Sequence, residues 1–278
     1  MVSKHRACVF VGAAAALLGC EQPEPRCNVA HGSFWAQYKL VEGEGACSEL
    51  PGELLDVQSY YAQRSATDKR PDYDAVSIAI QPGNITAALG NAAGIEEPDA
   101  EDVAYSIGRI GTSQPGADGF CRADKLSAAT LRLPAVPEHS IDECNTAPEA
   151  PAYNIKYEFS RVRIYYTPSA IGTQFEADLT YTQDDCVAKY HVTAVYPAVP
   201  CGATPAVDAG VVADAGPVEQ EEPAADGGVA CPPAPPPGPD PEPDVALCER
   251  SKINPDFALS CDPATMMCVL ANPSPSLK

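Results

Sequence analysis

The side chains that could serve as general bases or metal ligands are few and lie far apart in the sequence. Beyond the first nineteen residues the histidines are His31, His139 and His191, none in the H-E-x-x-H spacing of zinc peptidases. A catalytic serine or cysteine needs an adjacent base, and neither a G-x-S-x-G nor an S-x-x-K motif occurs. We therefore predict no catalytic residue, no metal site and no cofactor. The remaining alternative is a site where the fold brings the three histidines together.

Carboxylates, the ligands that calcium prefers, occur in two clusters. Neither cluster follows the D-x-[DN]-x-[DN]-G pattern of a calcium loop, so we interpret both as solvated acidic loops. The clusters comprise Asp68, Asp72 and Asp74, and Glu96, Glu97, Asp99, Glu101 and Asp102.

The amino-terminal segment predicts export. A basic patch, Lys4 to Arg6, precedes an apolar run of twelve residues, Ala7 to Leu18, and the small residue Gly19 stands before Cys20. This order is typical of a secretory signal peptide, which we place over residues 1–19. Because a helix needs roughly 18 to 20 apolar residues to cross a bilayer, the run is too short to remain as a span.

The residues Leu17-Leu18-Gly19-Cys20 resemble the lipobox of bacterial lipoproteins. In that family the cysteine thiol is diacylated, and cleavage before it makes the cysteine the new amino terminus. The resemblance implies lipid attachment at Cys20, stable when two or more chains are attached, and a short tether over residues 20–26. Glu21, by resemblance to known sorting patterns, favours the outer membrane. The alternatives are an ordinary secretory signal followed by an incidental cysteine, and a buried apolar helix.

The remaining cysteines predict disulfide bonds. Ten follow Cys20, and an exported chain meets an oxidising compartment in which thiols pair. No C-x-x-C pair occurs, which excludes the usual zinc-ribbon and thioredoxin-like motifs. The simplest pairing is sequential, Cys27 with Cys47, Cys121 with Cys144 and Cys186 with Cys201, and it leaves Cys231 to pair within the carboxyl-terminal tail. The full set is Cys27, Cys47, Cys121, Cys144, Cys186, Cys201, Cys231, Cys248, Cys261 and Cys268.

The chain is strongly acidic, with a formal charge of −20 that becomes −22 once Lys4 and Arg6 leave with the signal. Such a surface repels the phosphates of nucleic acids, so we predict no nucleic-acid partner. Its simplest interpretation is that it keeps the protein soluble. The predicted partners are the membrane, through the lipid anchor, and an unidentified component of the cell envelope or surface.

Composition divides the chain behind the tether into three regions. Residues 27–201 contain nearly all of the aromatic residues and are long enough to bury one core. Residues 202–246 contain eleven prolines, nine acidic residues and neither lysine nor arginine, which is typical of a disordered linker. Residues 247–278 form a small Cys-rich tail, too short for a core without bridges. The length of the linker predicts a tail that projects ~40 Å from the folded region.

Two features of the carboxyl-terminal part resemble Cys-rich surface proteins of myxobacterial type. Cys261-Asp262-Pro263-Ala264-Thr265-Met266-Met267-Cys268 matches a CDPxTxxC hairpin, and the linker contains the Asp/Ala/Gly repeats Val207–Gly210 and Ala213–Gly216. The resemblance covers only the linker and the tail. It implies habitat and architecture, and no particular activity.

The folded region is predicted to be β structure, because apolar and polar residues alternate in many short segments. The alternation in Gln174–Thr182 and in Cys186–Tyr196 predicts a hairpin. The segment from Tyr153 shifts its apolar phase at Ser160–Arg161, as a β-bulge would, so residues 153–196 are predicted to form a three-stranded meander. Weaker strands are predicted at Ser33–Val41, Leu55–Tyr61, Ala75–Ile80, Tyr105–Ile110 and Ala128–Leu133, and a short helix, capped by Asn84, through Gly90.

About eight strands in one region predict an all-β domain, a disulfide-linked antiparallel sandwich or small barrel. Gly32-Ser33-Phe34-Trp35 is similar to the G-x-W opening of lipocalin-like barrels, although Trp35 stands one residue late; the alternative is an ordinary buried tryptophan. The sequence thus predicts a membrane-anchored envelope lipoprotein with a non-enzymatic binding or structural role. The alternative function is a lipocalin-like carrier of a small apolar ligand.

Overall fold

The computed structural model describes residues 25–92, 102–135, 137–140, 146–147, 149, 152–203 and 241–278. Its strands are β1 (Gly32–Glu42), β2 (Glu53–Gln63), β3 (Pro71–Pro82), β4 (Ser106–Arg109), β5 (Phe120–Lys125), β6 (Ala129–Leu133), β7 (His139–Ser140), β8 (Thr146–Ala147), β9 (Tyr153–Thr167), β10 (Ala170–Gln183), β11 (Cys186–Val195), β12 (Gly202–Ala203), β13 (Glu242–Pro243), β14 (Leu259–Asp262) and β15 (Met267–Leu270). The helices are α1 (Gly83–Ala92) and α2 (Val245–Glu249), and a single 3-10 turn covers Ala46–Ser48. In the part of the chain described, no helix has the length and apolar character needed to span a bilayer.

Nine of the described strands form one antiparallel sheet that curls into a nearly closed barrel. Its order is β4-β3-β2-β1-β11-β10-β9-β5, and β6 pairs with β9 as well. Where the two ends of the sheet meet, Gly111 N donates to Arg122 O and Ser127 N donates to Ile107 O, each at 2.8 Å. Closure of this kind shields strand edges. The predicted all-β fold is confirmed, in its barrel form.

The barrel has two ends that differ in what covers them. At the first, the entry end, the chain enters at residues 26–28, and the turns β2–β3 (residues 64–70) and β9–β10 (residues 168–169) lie there. At the second, the helix end, lie α1 and the β10–β11 turn at residues 184–185. Each end is fastened by its own disulfide.

Alternation along each strand decides which side chains fill the interior. In β2, Leu55 and Val57 are buried, whereas Leu54 and Asp56 are exposed. Burying a large apolar side chain contributes about 1.5–3 kcal/mol, so the filled interior is the main source of stability. The largest fully buried side chains of the barrel include Phe34, Ile78, Ile80, Tyr157, Phe159 and Phe175.

The predicted meander is confirmed as β9, β10 and β11. Cys186 pairs with Gln183 across the turn at Asp184–Asp185. The predicted bulge is confirmed too, because the register of β9 against β10 shifts between Ser160 and Arg163, and Arg161 has a φ of 50°. This shift lets apolar residues on both sides of the bulge face the core.

The five weaker strands are all present, with bounds that differ by a few residues, and the predicted helix is α1. The sequence did not predict β5. Three of its six residues, Arg122, Asp124 and Lys125, are charged, so its alternation is weak. Pairing with β9 and burial of Phe120 and Cys121 make it a strand nevertheless.

The Cys-rich tail does not project from the barrel. Its hairpin β14–β15 packs on the barrel wall and helix α2 packs on β14. Phe257 shares a buried apolar cluster with Ala170 and Val195 of the barrel. Cys268 N donates to Val199 O at 2.9 Å, which fixes the hairpin against the end of β11. The predicted separation of ~40 Å is therefore wrong, because linker length sets only how far a tail reaches and not where its apolar side chains bind.

The eight described cysteines form four disulfides, and the predicted sequential pairing is wrong. The bonds join Cys27 to Cys121, Cys47 to Cys186, Cys201 to Cys261, and Cys248 to Cys268. Closure of the barrel explains the difference, because it brings together residues 94 and 139 positions apart at its two ends. Cys144 and Cys231 lie outside the described residues. On the chain-entropy model a bond that closes ~100 residues contributes about 4.7 kcal/mol, less any strain.

Candidate functional site

At the entry end the first described residues are fastened to the barrel. Besides its disulfide to Cys121, Cys27 donates its N–H to Ser113 O at 2.8 Å. Gly172, near the start of β10, has a φ of 68°, and a Cβ added there would lie 2.6 Å from Asn28 O, so this position needs glycine to let the incoming chain pass. The chain is therefore held in place from Cys27 onward.

Aromatic and cationic side chains surround this point of entry. The rings of Tyr61 and Tyr73 meet edge to face with centroids 5.2 Å apart, and Arg26 Nη1 lies 2.7 Å from Asp74 Oδ1. Burial raises the pKa of Tyr61, neighbouring tyrosines raise it further, and Arg26 lowers it. We call the exposed part of this group the entry rim: Arg26, Tyr60, Arg64, Lys69, Arg70 and Tyr73.

At the helix end a buried carboxylate holds α1 on the barrel. Glu53 Oε2 accepts from Asn84 N at 2.7 Å, and Oε1 accepts from the hydroxyls of Tyr38 at 2.7 Å and Tyr157 at 3.0 Å. Burial raises the pKa of Glu53, while these hydrogen bonds act in the opposite direction. A carboxylate at the amino end of a helix satisfies its unpaired N–H groups, so Glu53 caps α1 and the predicted cap, Asn84, instead donates to Tyr157 at 3.1 Å.

The sequence interpretation missed Glu53, although a signal was present. Glu53 is in phase with Leu55 and Val57, the inward positions of β2. A carboxylate in that phase indicates a buried partner, because burying an unpaired charge is costly. Because Glu53 and its donors satisfy one another's hydrogen bonds, we interpret this cluster as structural.

The structure places the predicted histidines in different elements. His31 Nε2 lies 2.7 Å from Ser59 Oγ at the entry end, and Ser59 Oγ also donates to Asn28 Oδ1. Such a contact resembles a nucleophile and its base, but Ser59 is buried and bound on both sides, so its oxygen is structural. His191 lies on the outer face of β11 and His139 in β7.

The outer face of β9, β10 and β11 carries a row of ion pairs. Arg161 pairs with Asp178, Arg163 pairs with Glu176, and His191 lies within 4.0 Å of both carboxylates. An exposed pair contributes ~0–1 kcal/mol, which applies to Arg161 and Asp178. Glu176 is buried, so its carboxylate needs Arg163 as a compensating partner.

Three of the four described members of the acidic clusters, Asp68, Asp74 and Asp102, pair with arginines. Asp68 pairs with Arg70 at 2.8 Å, which lowers the pKa of that carboxyl, and Asp102 pairs with Arg132 at 3.2 Å. Asp72 accepts from the backbone N–H of Asp74 at 3.1 Å. The others, Glu96, Glu97, Asp99 and Glu101, lie outside the described residues.

The interior of the barrel offers no lipocalin-like cavity among the residues described, because buried aromatic rings occupy it. Two clefts of about 400 and 690 Å³ lie outside it, one between the β9–β10 turn and the tail, the other in the loop at residues 111–116. Trp35 is half-buried on the outer face of β1, over Gly52, since the inward positions beside it are Phe34 and Ala36. The similarity to the lipocalin opening therefore does not extend to the orientation of the tryptophan.

Three sulfurs in the tail cluster, those of Cys201, Cys248 and Cys268, lie within 4.8 Å of one another. Metal binding requires thiolates, and all three sulfurs belong to disulfides. Their proximity therefore reflects two bridges packed side by side. Cys20, the predicted lipid attachment, lies outside the described residues.

These features define a disulfide-linked β-barrel with a filled interior and a Cys-rich tail packed on its wall. A family model described as MlpA matches residues 32–197, which cover the barrel from β1 to β11, so the chain belongs to the MlpA family. Over 289 positions it is 29% identical to "Putative lipoprotein MlpA" of Myxococcus xanthus, an alignment that covers 99% of this chain and 98% of that protein. This relative supports the myxobacterial type predicted from the linker and tail. No solved structure matches the chain.

Proposed function

We propose that this chain is a lipid-anchored envelope lipoprotein whose barrel acts as a non-enzymatic binding or structural module. The observation that carries the proposal is the fastening of the chain at Cys27, through Cys121 and Ser113. Six residues separate Cys20 from Cys27. At ~3.3 Å per residue, an acylated Cys20 keeps the barrel within about 25 Å of the bilayer.

The comparison supports the lipid anchor. The relative from Myxococcus xanthus bears the name "Putative lipoprotein MlpA", and its alignment spans 99% of this chain. The lipobox-like residues Leu17-Leu18-Gly19-Cys20 provide the thiol for lipid attachment, because only a cysteine can form the thioether to the lipid. Glu21 after the anchor supports the outer membrane as the destination.

The filled interior supports a role carried by the surface of the barrel. A carrier of apolar ligands needs a cavity, whereas here Phe34, Phe159 and Phe175 pack inside. We therefore favour a module that binds envelope components through its outer face, and the charge of −20 supports partners other than nucleic acid.

Intact-mass analysis of the protein from its native membrane tests the anchor. The expected mass is that of a chain starting at Cys20 plus two or three acyl groups. Cys20→Ala should abolish the added mass and remove the protein from the membrane fraction, whereas the control Cys8→Ala, within the signal, should change neither. A native chain that starts at Met1 without lipid would overturn the proposal.

A further inference from the structure

We propose that the entry rim is a membrane-contact surface that rests among the phospholipid head groups beside the anchor. This deepens the proposed function and rests on it, since it assumes lipid attachment at Cys20. It adds the orientation of the barrel, with the entry end against the bilayer and the helix end away from it.

The length of the tether limits which surface can reach the bilayer first. Arg26 follows Cys20 by six residues, which is ~20 Å when extended. Arg26 pairs with Asp74 at 2.7 Å, so the start of β3 lies beside the tether. The helix end lies at the far side of the barrel, beyond the reach of this segment.

The exposed tyrosines of the entry rim suit an interface between water and lipid. Tyr60 is 49% exposed and Tyr73 is 46% exposed. A tyrosine ring combines an apolar body with a polar hydroxyl, so it is favoured at the level of the head groups. Tyr73 also stacks edge to face on the more buried Tyr61, which holds its ring in place.

The charges of the entry rim differ from those of the whole chain. The β2–β3 turn contains three cations, Arg64, Lys69 and Arg70, and one carboxylate, Asp68, within a chain of net charge −20. Asp68 pairs with Arg70, whereas Lys69 Nζ donates to the Gln63 amide oxygen at 2.9 Å. Among the described residues, neither Lys69 nor Arg64 forms an ion pair with a carboxylate. These two cations can bind lipid phosphates. Of the carboxylates at the start of β3, Asp74 pairs with Arg26 and Asp72 accepts from the backbone N–H of Asp74.

The tail leaves the entry rim uncovered. Its apolar cluster occupies the wall of β10 and β11, including Ala170 and Val195, whereas the rim lies on β2 and β3. Among the described residues, nothing buries the side chains of the entry rim, so they are accessible to lipid.

Quenching of tryptophan fluorescence by brominated phospholipids tests the orientation. The full-length lipidated chain carries Trp35→Phe to remove its single tryptophan, and then either Tyr73→Trp at the entry rim or Val187→Trp, 51% exposed at the helix end. In vesicles of phosphatidylethanolamine and phosphatidylglycerol we expect at least about twofold stronger quenching at position 73 than at 187. Equal far-ultraviolet circular dichroism of both variants verifies their folding.

Charge variants test the head-group contact in the same vesicles. Arg64→Gln with Lys69→Gln should lower the quenching at position 73 to the level seen in phosphatidylcholine alone. The matched control, Lys39→Gln with Lys189→Gln, removes two exposed cations from β1 and β11 and should leave the quenching unchanged. An equal decrease in quenching in both double variants would contradict a specific role for the entry rim.

The outcomes separate the two proposals. Chains that float with the vesicles but show equal quenching at both positions overturn the orientation and leave the anchor intact. Chains that neither float nor carry lipid overturn both. Protection of residues 60–73 by a co-purified protein, instead of lipid, in hydrogen exchange would assign the rim to a protein partner and overturn the membrane contact.

Discussion

Glu53 links the wall of the barrel to the helix that covers one end. Its carboxylate accepts hydrogen bonds from Tyr38, Tyr157 and the backbone of Asn84. Hydrogen bonds to a charged acceptor contribute about 1.5–3 kcal/mol each, whereas removal of the charge from water acts against them. Burial is the larger influence here, since the pKa of Glu53 is raised despite the three donors.

The raised pKa of Glu53 predicts how stability depends on pH. The folded state holds the Glu53 proton to higher pH than the unfolded chain, whose carboxyl titrates near ~4.3. The stabilisation is fully present below that pH and is lost as pH rises through the folded pKa. Glu53→Gln should remove this decline from the free energy of unfolding, measured by urea titration at several pH values. The control Glu158→Gln, at a half-exposed carboxylate on β9, should follow the wild type. Parallel curves for all three proteins would contradict the prediction.

Strands were predictable from the sequence because their signal is local. Period-two alternation in β10 and β11 and the phase shift at Ser160–Arg161 gave the meander and its bulge directly. The disulfides depend on closure of the whole sheet, which a local sequence pattern cannot predict. Sequential pairing therefore predicts Cys27 with Cys47, whereas the structure bonds Cys27 to Cys121. The sequence does not predict the entry rim for the same reason, since only the folded chain places Arg26 beside Asp74 at the start of β3.

Packing of the tail on the barrel predicts a local effect of Phe257→Ala. Phe257 is fully buried in the tail cluster, and such a truncation costs about 3–5 kcal/mol. We expect faster hydrogen exchange in β14, β15 and α2 and unchanged exchange in β9 to β11, because the barrel has its own core. Leu277→Ala, at a side chain that is 41% exposed, is the matched control and should leave the exchange of the tail as it is. Faster hydrogen exchange in β9 to β11 as well would show that the tail and the barrel unfold as one unit.

At the scale of the whole molecule, three of the four described disulfides connect distant parts of the chain. Cys27–Cys121 fixes the entering segment, Cys47–Cys186 fixes the helix end, and Cys201–Cys261 ties the tail to the end of the barrel. An anchor at Cys20 would therefore position the barrel, and the barrel would position the tail. The tail would stand close to the same membrane instead of reaching away from it.

A cut in the linker distinguishes this arrangement from a tail closed only on itself. A specific protease site inserted after Gly238 lies beyond Cys231, so the released segment contains Cys248, Cys261 and Cys268 alone. We expect the segment to stay with the barrel on a non-reducing denaturing gel and to separate on reduction, because Cys261 is bonded to Cys201. Cys201→Ser with Cys261→Ser should release it without reduction, whereas the Phe257→Ala variant should keep it covalently attached. Release of the wild-type segment before reduction would show that no covalent bond joins the tail to the barrel, and the tail would then depend on its apolar contacts alone to stay near the membrane.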